Sequence, residues 1–126
     1  MRLLLDTHAL VWWVEGSQLL SDAARTAIAD NEVLVSAASA WEITTKFRLG
    51  KLPSAERMAR RFAAEVAVEG FVPLAVTLDH AALAGSLDIP HKDPFDRLLI
   101  AQAQIERVPI VSNETLFDAF GAERIW

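Results

Sequence analysis

The feature that most constrains this chain is a set of three-residue apolar runs, separated by longer segments of helical period. Leu3-Leu4-Leu5, Val33-Leu34-Val35 and Pro109-Ile110-Val111 are too short for helices and apolar throughout, so they read as strands covered on both faces. Ser21-Asp22 starts a helix that runs to about Asp30, with Ala23, Ala24, Ala27 and Ile28 at helical spacing. A helix spans roughly Ala38 to Leu49, with Gly50 as its stop, and another runs from Pro53-Ser54 to Glu69 ahead of Gly70. Val72 to Val76 reads as a strand in which Pro73 requires an edge or strand-start position. Thr77 or Asp79 caps a short helix through Leu87, Pro94 to Glu106 is helical, and Arg124-Ile125-Trp126 adds a terminal edge strand. This alternation predicts a three-layer α/β fold with a central, mainly parallel sheet of four to five strands flanked by helices. With 126 residues the expectation is a single domain over 1–126.

Composition narrows the chemistry. The absence of cysteine excludes disulfides, thiolate metal sites and a cysteine nucleophile. No apolar run approaches the roughly 20 residues that span a bilayer, and Asp6 interrupts the first apolar run before a signal-peptide core can form. A soluble, cytoplasmic protein with no membrane partner is expected. The net charge of −5 argues against a general polyanion binder, though it describes only the average.

In parallel sheets, active sites form outside the carboxyl ends of the strands. Asp6 follows the first strand directly, Glu42 lies in the early helix after the second, Asp96 in the first turn of the helix from Pro94, and Glu114 three residues after Val111. A parallel sheet places all four on one rim. Carboxylates gathered there raise one another's pKa unless cations neutralise them, and Mg²⁺ or Mn²⁺ are the hard cations suited to oxygen ligands. A metal pair there can activate water in phosphodiester cleavage. Each acid also has a structural role open to it. Asp6 can end a strand, Glu42 can face solvent, and Asp93 before Pro94 is placed as a helix N-cap. Asp96 at the third helical position can complete that cap, and the spacing does not choose between capping and metal binding. Glu114 lies beside a helix start near Asn113.

No His-Glu-x-x-His spacing and no Gly-rich phosphate loop occurs, which weighs against zinc hydrolases, nucleotide-triphosphate enzymes and dinucleotide dehydrogenases. His8 has a pocket or core role, His80 belongs to a surface helix and His91 to the loop before Asp93. Ser36 and Ser39 are placed for capping or strand-end hydrogen bonds. Between Thr44 and Arg61, Lys46, Arg48, Lys51, Arg57, Arg60 and Arg61 oppose Glu56 alone, a local charge of +5. That strip can flank the acidic rim and hold a phosphate backbone, or be an ordinary solvated helix pair. Phe47 and Trp41 are expected in the core. Trp12 and Trp13 cannot share one narrow helical face, leaving one for a partner or dimer contact.

Leu4-Leu5-Asp6-Thr7-His8, Ser36-Ala37-Ala38-Ser39-Ala40-Trp41-Glu42-Ile43, Asp93-Pro94-Phe95-Asp96-Arg97-Leu98-Leu99-Ile100-Ala101-Gln102-Ala103 and Val111-Ser112-Asn113-Glu114 together resemble the PIN-domain ribonucleases. More narrowly, they resemble the VapC-type toxins of bacterial toxin–antitoxin pairs. The resemblance spans nearly the whole chain. It implies a PIN-like fold and a Mg²⁺-dependent endoribonuclease, with Mn²⁺ able to substitute, cleaving structured RNA such as tRNA or rRNA loops. Asp6, Glu42 and Asp96 would be the metal ligands, and Glu114 would take a fourth acidic position where aspartate is more usual. Thr7 and Ser36 match small hydroxyl positions beside the metal, with Asp93 and Asn113 as further polar residues nearby. Lys46 and Arg48 are the candidates for holding the RNA backbone. A homodimer and a VapB-type antitoxin that inserts a segment into the groove are also implied. Two other readings stand beside it. One is a phosphatase with Asp6 as nucleophile, although the Asp-x-Asp step of that chemistry has His8 in its third place. The other is a non-catalytic interaction domain whose acids only cap helices.

Overall fold

Side chains alternate across a strand, and in this chain the alternation feeds two separate cores. Leu3 and Leu5, Val33 and Val35, and Val111 face one cluster, while Leu4, Leu34 and Ile110 face the other. The computed structural model describes residues 1–126. Its order is β1 (Arg2–Leu5), α1 (Thr7–Glu15), α2 (Asp22–Asp30), β2 (Glu32–Ser36), α3 (Ala37–Arg48), a 3₁₀ turn (Pro53–Ala55), α4 (Glu56–Arg60), α5 (Phe62–Val68), β3 (Val72–Leu74), α6 (Leu78–Ser86), α7 (Pro94–Glu106), β4 (Ile110–Val111), a second 3₁₀ turn (Thr115–Phe120) and β5 (Arg124–Ile125).

The five strands form one sheet in the order β3-β2-β1-β4-β5, every pairing parallel. The first core packs α1, α2, α4 and α5, with Ile43 of α3, against one face of the sheet. Leu99, Ile100 and Ala103 of α7 pack with Phe117 on the other. Leucines of β1 are essentially inaccessible, and each such side chain contributes about 1.5–3 kcal/mol by leaving water. β1 is central because the chain builds outward to β2 and β3, then returns to place β4 on its other side. The gap between the carboxyl ends of β1 and β4 is therefore the point at which strand order reverses, the place where open α/β sheets bind ligands.

Most sequence expectations hold, including Pro73 on an edge strand and Thr77 as the cap of α6. The segment Thr7–Glu15, to which the sequence assigns no element, is a helix, and Asp6 is its N-cap, accepting from the Ala9 N–H. Two expectations fail here. The expected helix from Pro53 to Glu69 is a 3₁₀ turn and two short helices, because the backbone leaves helical space at Arg61 (φ −140°, ψ 46°). Neither Gly nor Pro marks that break. His80 is not on the surface: only 1% of it is exposed. Its Nδ1 accepts from the Thr77 N–H, completing a capping box, and its Nε2 lies 3.0 Å from the Glu106 carboxylate.

The tryptophans and the basic strip also differ from expectation. Trp12 and Trp13 are both half-buried, Trp12 against His8 and Trp126, Trp13 against Phe71 with its indole N–H donating to Glu69. Trp41 is 58% exposed rather than in the core, and Phe47 is half-buried beneath the Arg60 guanidinium. The strip of positive charge is divided: Lys46 pairs with Glu42, Arg57 with Glu65 and Arg60 with Glu56. Arg48, Lys51 and Arg61 remain as its unpaired cations.

Candidate active site

β1 ends at Leu5 and pairs it with Val111 of β4, so the next residues, Asp6 and Ser112, fall side by side. The Ser112 hydroxyl donates to Asp6 Oδ2 at 2.5 Å and accepts from the Glu114 N–H at 2.9 Å. One hydroxyl thus ties together two of the acids. Asp6 is 4% exposed, and burial drives its carboxyl from the ordinary 3.8 up to about 6, against the opposing pull of Ser112 and the Ala9 N–H. Both of its oxygens already have donors.

Glu42 comes from α3, whose N-cap Ser36 accepts from the Ala38 N–H. Its Oε1 accepts from the Thr7 hydroxyl at 2.5 Å, with Ser39 Oγ 3.2 Å from the same hydroxyl. Lys46, one turn further on, reaches Glu42 Oε2 at 2.5 Å. Burial pulls the Lys46 pKa down, but Glu42, with Asp93 and Asp96 nearby, outweighs it and raises it overall. Lys46 is the resident counter-charge of the acids.

Asp96 stands in the first turn of α7. Asp93 caps that helix, its Oδ1 accepting from both the Phe95 and Asp96 N–H groups. The Asp96 pKa is raised by burial, opposed by His91, whose Nε2 sits 2.8 Å from Oδ2, and raised further by Asp93, Glu114 and Glu42. Arg97 holds the loop that carries His91 and Asp93: its guanidinium donates to the carbonyls of Ala84, Gly85, Leu87, Ile89 and His91.

These groups line one cleft of about 60 Å³ with no hydrophobic residue in its wall. Asp6, Glu42, Asp96 and Glu114 meet there, joined by Thr7, His8, Lys46 and Asp93. His8 Nδ1 lies 3.9 Å from the Glu114 carboxylate. Three of the residues singled out from sequence do not line it. Ser36 is fully buried as a helix cap and borders a separate apolar groove of about 370 Å³. Asn113 is exposed, and neither it nor Arg48 is in the wall. Ser112 and His91, which bond Asp6 and Asp96, and Arg97, which holds the loop behind them, support the site from outside its wall, and none has a site role assigned from the sequence. Strand register alone places Ser112, since pairing Leu5 with Val111 puts it beside Asp6.

The donor set, carboxylate and hydroxyl oxygens with no sulfur, suits a hard divalent cation. No group of three or more His, Asp or Glu side chains is arranged as a ready cage: Lys46 occupies Glu42, and His91 occupies Asp96. A cation would take the place of these two partners, and it would also stabilise the ionised form of Asp6, which burial disfavours.

The PIN domain family matches residues 3–123. The chain belongs to the PIN-domain family. This PIN domain is 48% identical over 54 residues to ribonuclease VapC16 of Mycobacterium tuberculosis, a match covering 43% of the chain and 37% of the relative. The matched stretch thus spans little more than a third of that relative's length. Among solved structures it is similar to VapBC2 from Rickettsia felis, bound to a DNA fragment from their promoter, at a TM-score of 0.66 and 13% identity over the whole of both chains. It is also similar to VapC20 of Mycobacterium tuberculosis, described as a sarcin-ricin loop cleaving toxin, at a TM-score of 0.66 and 17% identity over 95% of each chain. At these identities the likeness establishes the fold.

Proposed function

We propose that this PIN domain is a Mg²⁺-dependent endoribonuclease, the toxin of a toxin–antitoxin pair, acting on loops of structured RNA. The observation that carries the reading is the wholly polar cleft at the β1/β4 switch point, with five carboxylates supplied by four different segments. The kinship with a ribonuclease VapC and the likeness to VapBC assemblies support it.

Asp6, Glu42 and Asp96 would hold the cation. When bound, it supplies Lewis-acid chemistry, activating water and offsetting the charge that develops on phosphorus-bound oxygens. The protein's own residues do the rest. Ser112 and the Ala9 N–H fix the Asp6 carboxylate, and Thr7 fixes Glu42. Lys46, paired with Glu42 at the rim, would hold a substrate phosphate if Glu42 were engaged with the cation instead. Glu114, held through its backbone N–H by the Ser112 hydroxyl, would act through water. A second copy of the chain and a VapB-type antitoxin complete the proposed assembly.

Incubation with total RNA, with Mg²⁺ and with excess chelator, tests this. Defined fragments in Mg²⁺ that vanish with chelator and with Asp6→Asn are the expected result. Cleavage that survives both sinks the mechanism. A phosphatase using Asp6 as nucleophile is disfavoured because His8 stands where that chemistry places a second aspartate. Calorimetry showing no Mg²⁺ or Mn²⁺ binding at millimolar metal would favour a non-catalytic domain.

A further inference from the structure

Successive residues of a helix point about 100° apart, so a residue next to an inward-facing acid faces outward at the edge of the same cleft. Two aromatic residues hold that position on two different helices. Trp41 precedes Glu42 on α3, and Phe95 precedes Asp96 on α7. Their rings meet edge to face, with centroids 4.9 Å apart and planes at 81°. In that geometry at least one face of the indole is free of Phe95, and Trp41 is 58% exposed. We propose that Trp41, braced by Phe95, is a platform on which one unpaired base of single-stranded RNA stacks beside the acidic cleft. The proposal rests on the nuclease reading and names how that site grips its substrate.

Three observations favour a base over other occupants. The platform is tied to the cleft from two elements at once, since each ring is one residue from a carboxylate of the cleft wall. Its position is fixed relative to those carboxylates: Asp93 Oδ1 accepts from the N–H groups of both Phe95 and Asp96, and Glu42 is held by Thr7 and Lys46. A base seated there therefore sets the register of the neighbouring phosphate. Finally, the open area is small. One partly exposed indole offers on the order of 100 Å², against about 800 Å² per partner in a stable protein interface. It matches one nucleobase, and every base has a π-face to stack.

The test uses the Asp6→Asn protein, expected on the nuclease reading to hold RNA without cutting it, and the anisotropy of a short fluorescein-labelled single-stranded RNA. Adding Trp41→Ala should weaken binding about tenfold, and Trp41→Phe should recover most of that loss. The dependence of affinity on salt should stay unchanged, because phosphate contacts are untouched. Equal affinities for the Asp6→Asn protein with and without Trp41→Ala overturn the proposal. So does an equal loss on duplex RNA, which signals a damaged fold. A Trp41→Ala change that converts a dimer to a monomer in sedimentation, or that weakens only an antitoxin peptide, assigns the ring to a protein contact and also overturns it. Failure of the nuclease reading is separately visible as wild-type protein that neither binds RNA nor cleaves it in Mg²⁺.

Discussion

Asp6 is asked to be a buried anion, a helix cap and a neighbour of Glu114 at once, and its carboxyl sits near pKa 6 as a result. A carboxyl whose folded pKa lies above its unfolded value stabilises the fold below the unfolded value and loses that contribution as pH rises through the folded one. Metal-free protein should therefore lose stability between about pH 4 and pH 6–7, by up to about 3 kcal/mol at 1.36 kcal/mol per unit. Denaturant titrations across that range, in chelator, measure it. Asp6→Asn removes the buried charge while keeping an oxygen for the Ala9 N–H. It should raise the melting temperature of metal-free protein at neutral pH while abolishing RNA cleavage, the usual opposition of stability and activity at a site. A lowered melting temperature would contradict this. Ser112→Ala removes the donor to Asp6 and the acceptor for Glu114. Groups that orient ligands in this way typically govern 10–100-fold in metal affinity, so calorimetric Mg²⁺ affinity should fall by that order with the fold retained.

Among the elements, the connection between α6 and α7 depends most on a single side chain. Arg97 gathers five carbonyls from Ala84 to His91, and so holds His91 and Asp93 near Asp96. Arg97→Ala should destabilise by at least about 2 kcal/mol, since hydrogen bonds to charged groups are worth roughly 1.5–3 kcal/mol each. The loss of hydrogen-exchange protection should be greatest over residues 87–93. The positions of the strands were legible in the sequence because a run such as Leu3-Leu4-Leu5 has no other way to be buried. Asp93 was legible as a cap because it precedes Pro94. The break at Arg61 was not, since no local breaker marks it and tertiary packing decides it. Trp41 was assigned to the core on hydrophobicity alone. Its helix gives the inward position to Glu42, and the indole is left outside. His80 was assigned to the surface because its partners, Glu106 and Gln102, come from α7, a pairing no local window contains.

At the scale of the whole molecule, the net charge of −5 conceals a division of labour. The acids converge on one rim, and half of the cations between Thr44 and Arg61 are spent on internal ion pairs. A cation that binds the folded rim and not the unfolded chain stabilises by mass action, about 2.7 kcal/mol at a hundredfold excess over Kd. Millimolar Mg²⁺ should accordingly raise the melting temperature of the wild-type protein and raise it much less in Asp6→Asn. Equal shifts in the two proteins would place the ion elsewhere.

The hydrogen bond between Ser112 and Asp6 spans 106 positions of sequence, and that has a consequence in time as well as space. A ribosome adding about 5–20 residues per second releases Asp6 several seconds before Ser112. During that interval β1 has β2 beside it but nothing on its other side, and Asp6 lacks the hydroxyl that anchors it. The cleft cannot close until β4 slides into place. The wall of the cleft that β4 and Ser112 complete is therefore missing from the nascent chain until synthesis has passed residue 112.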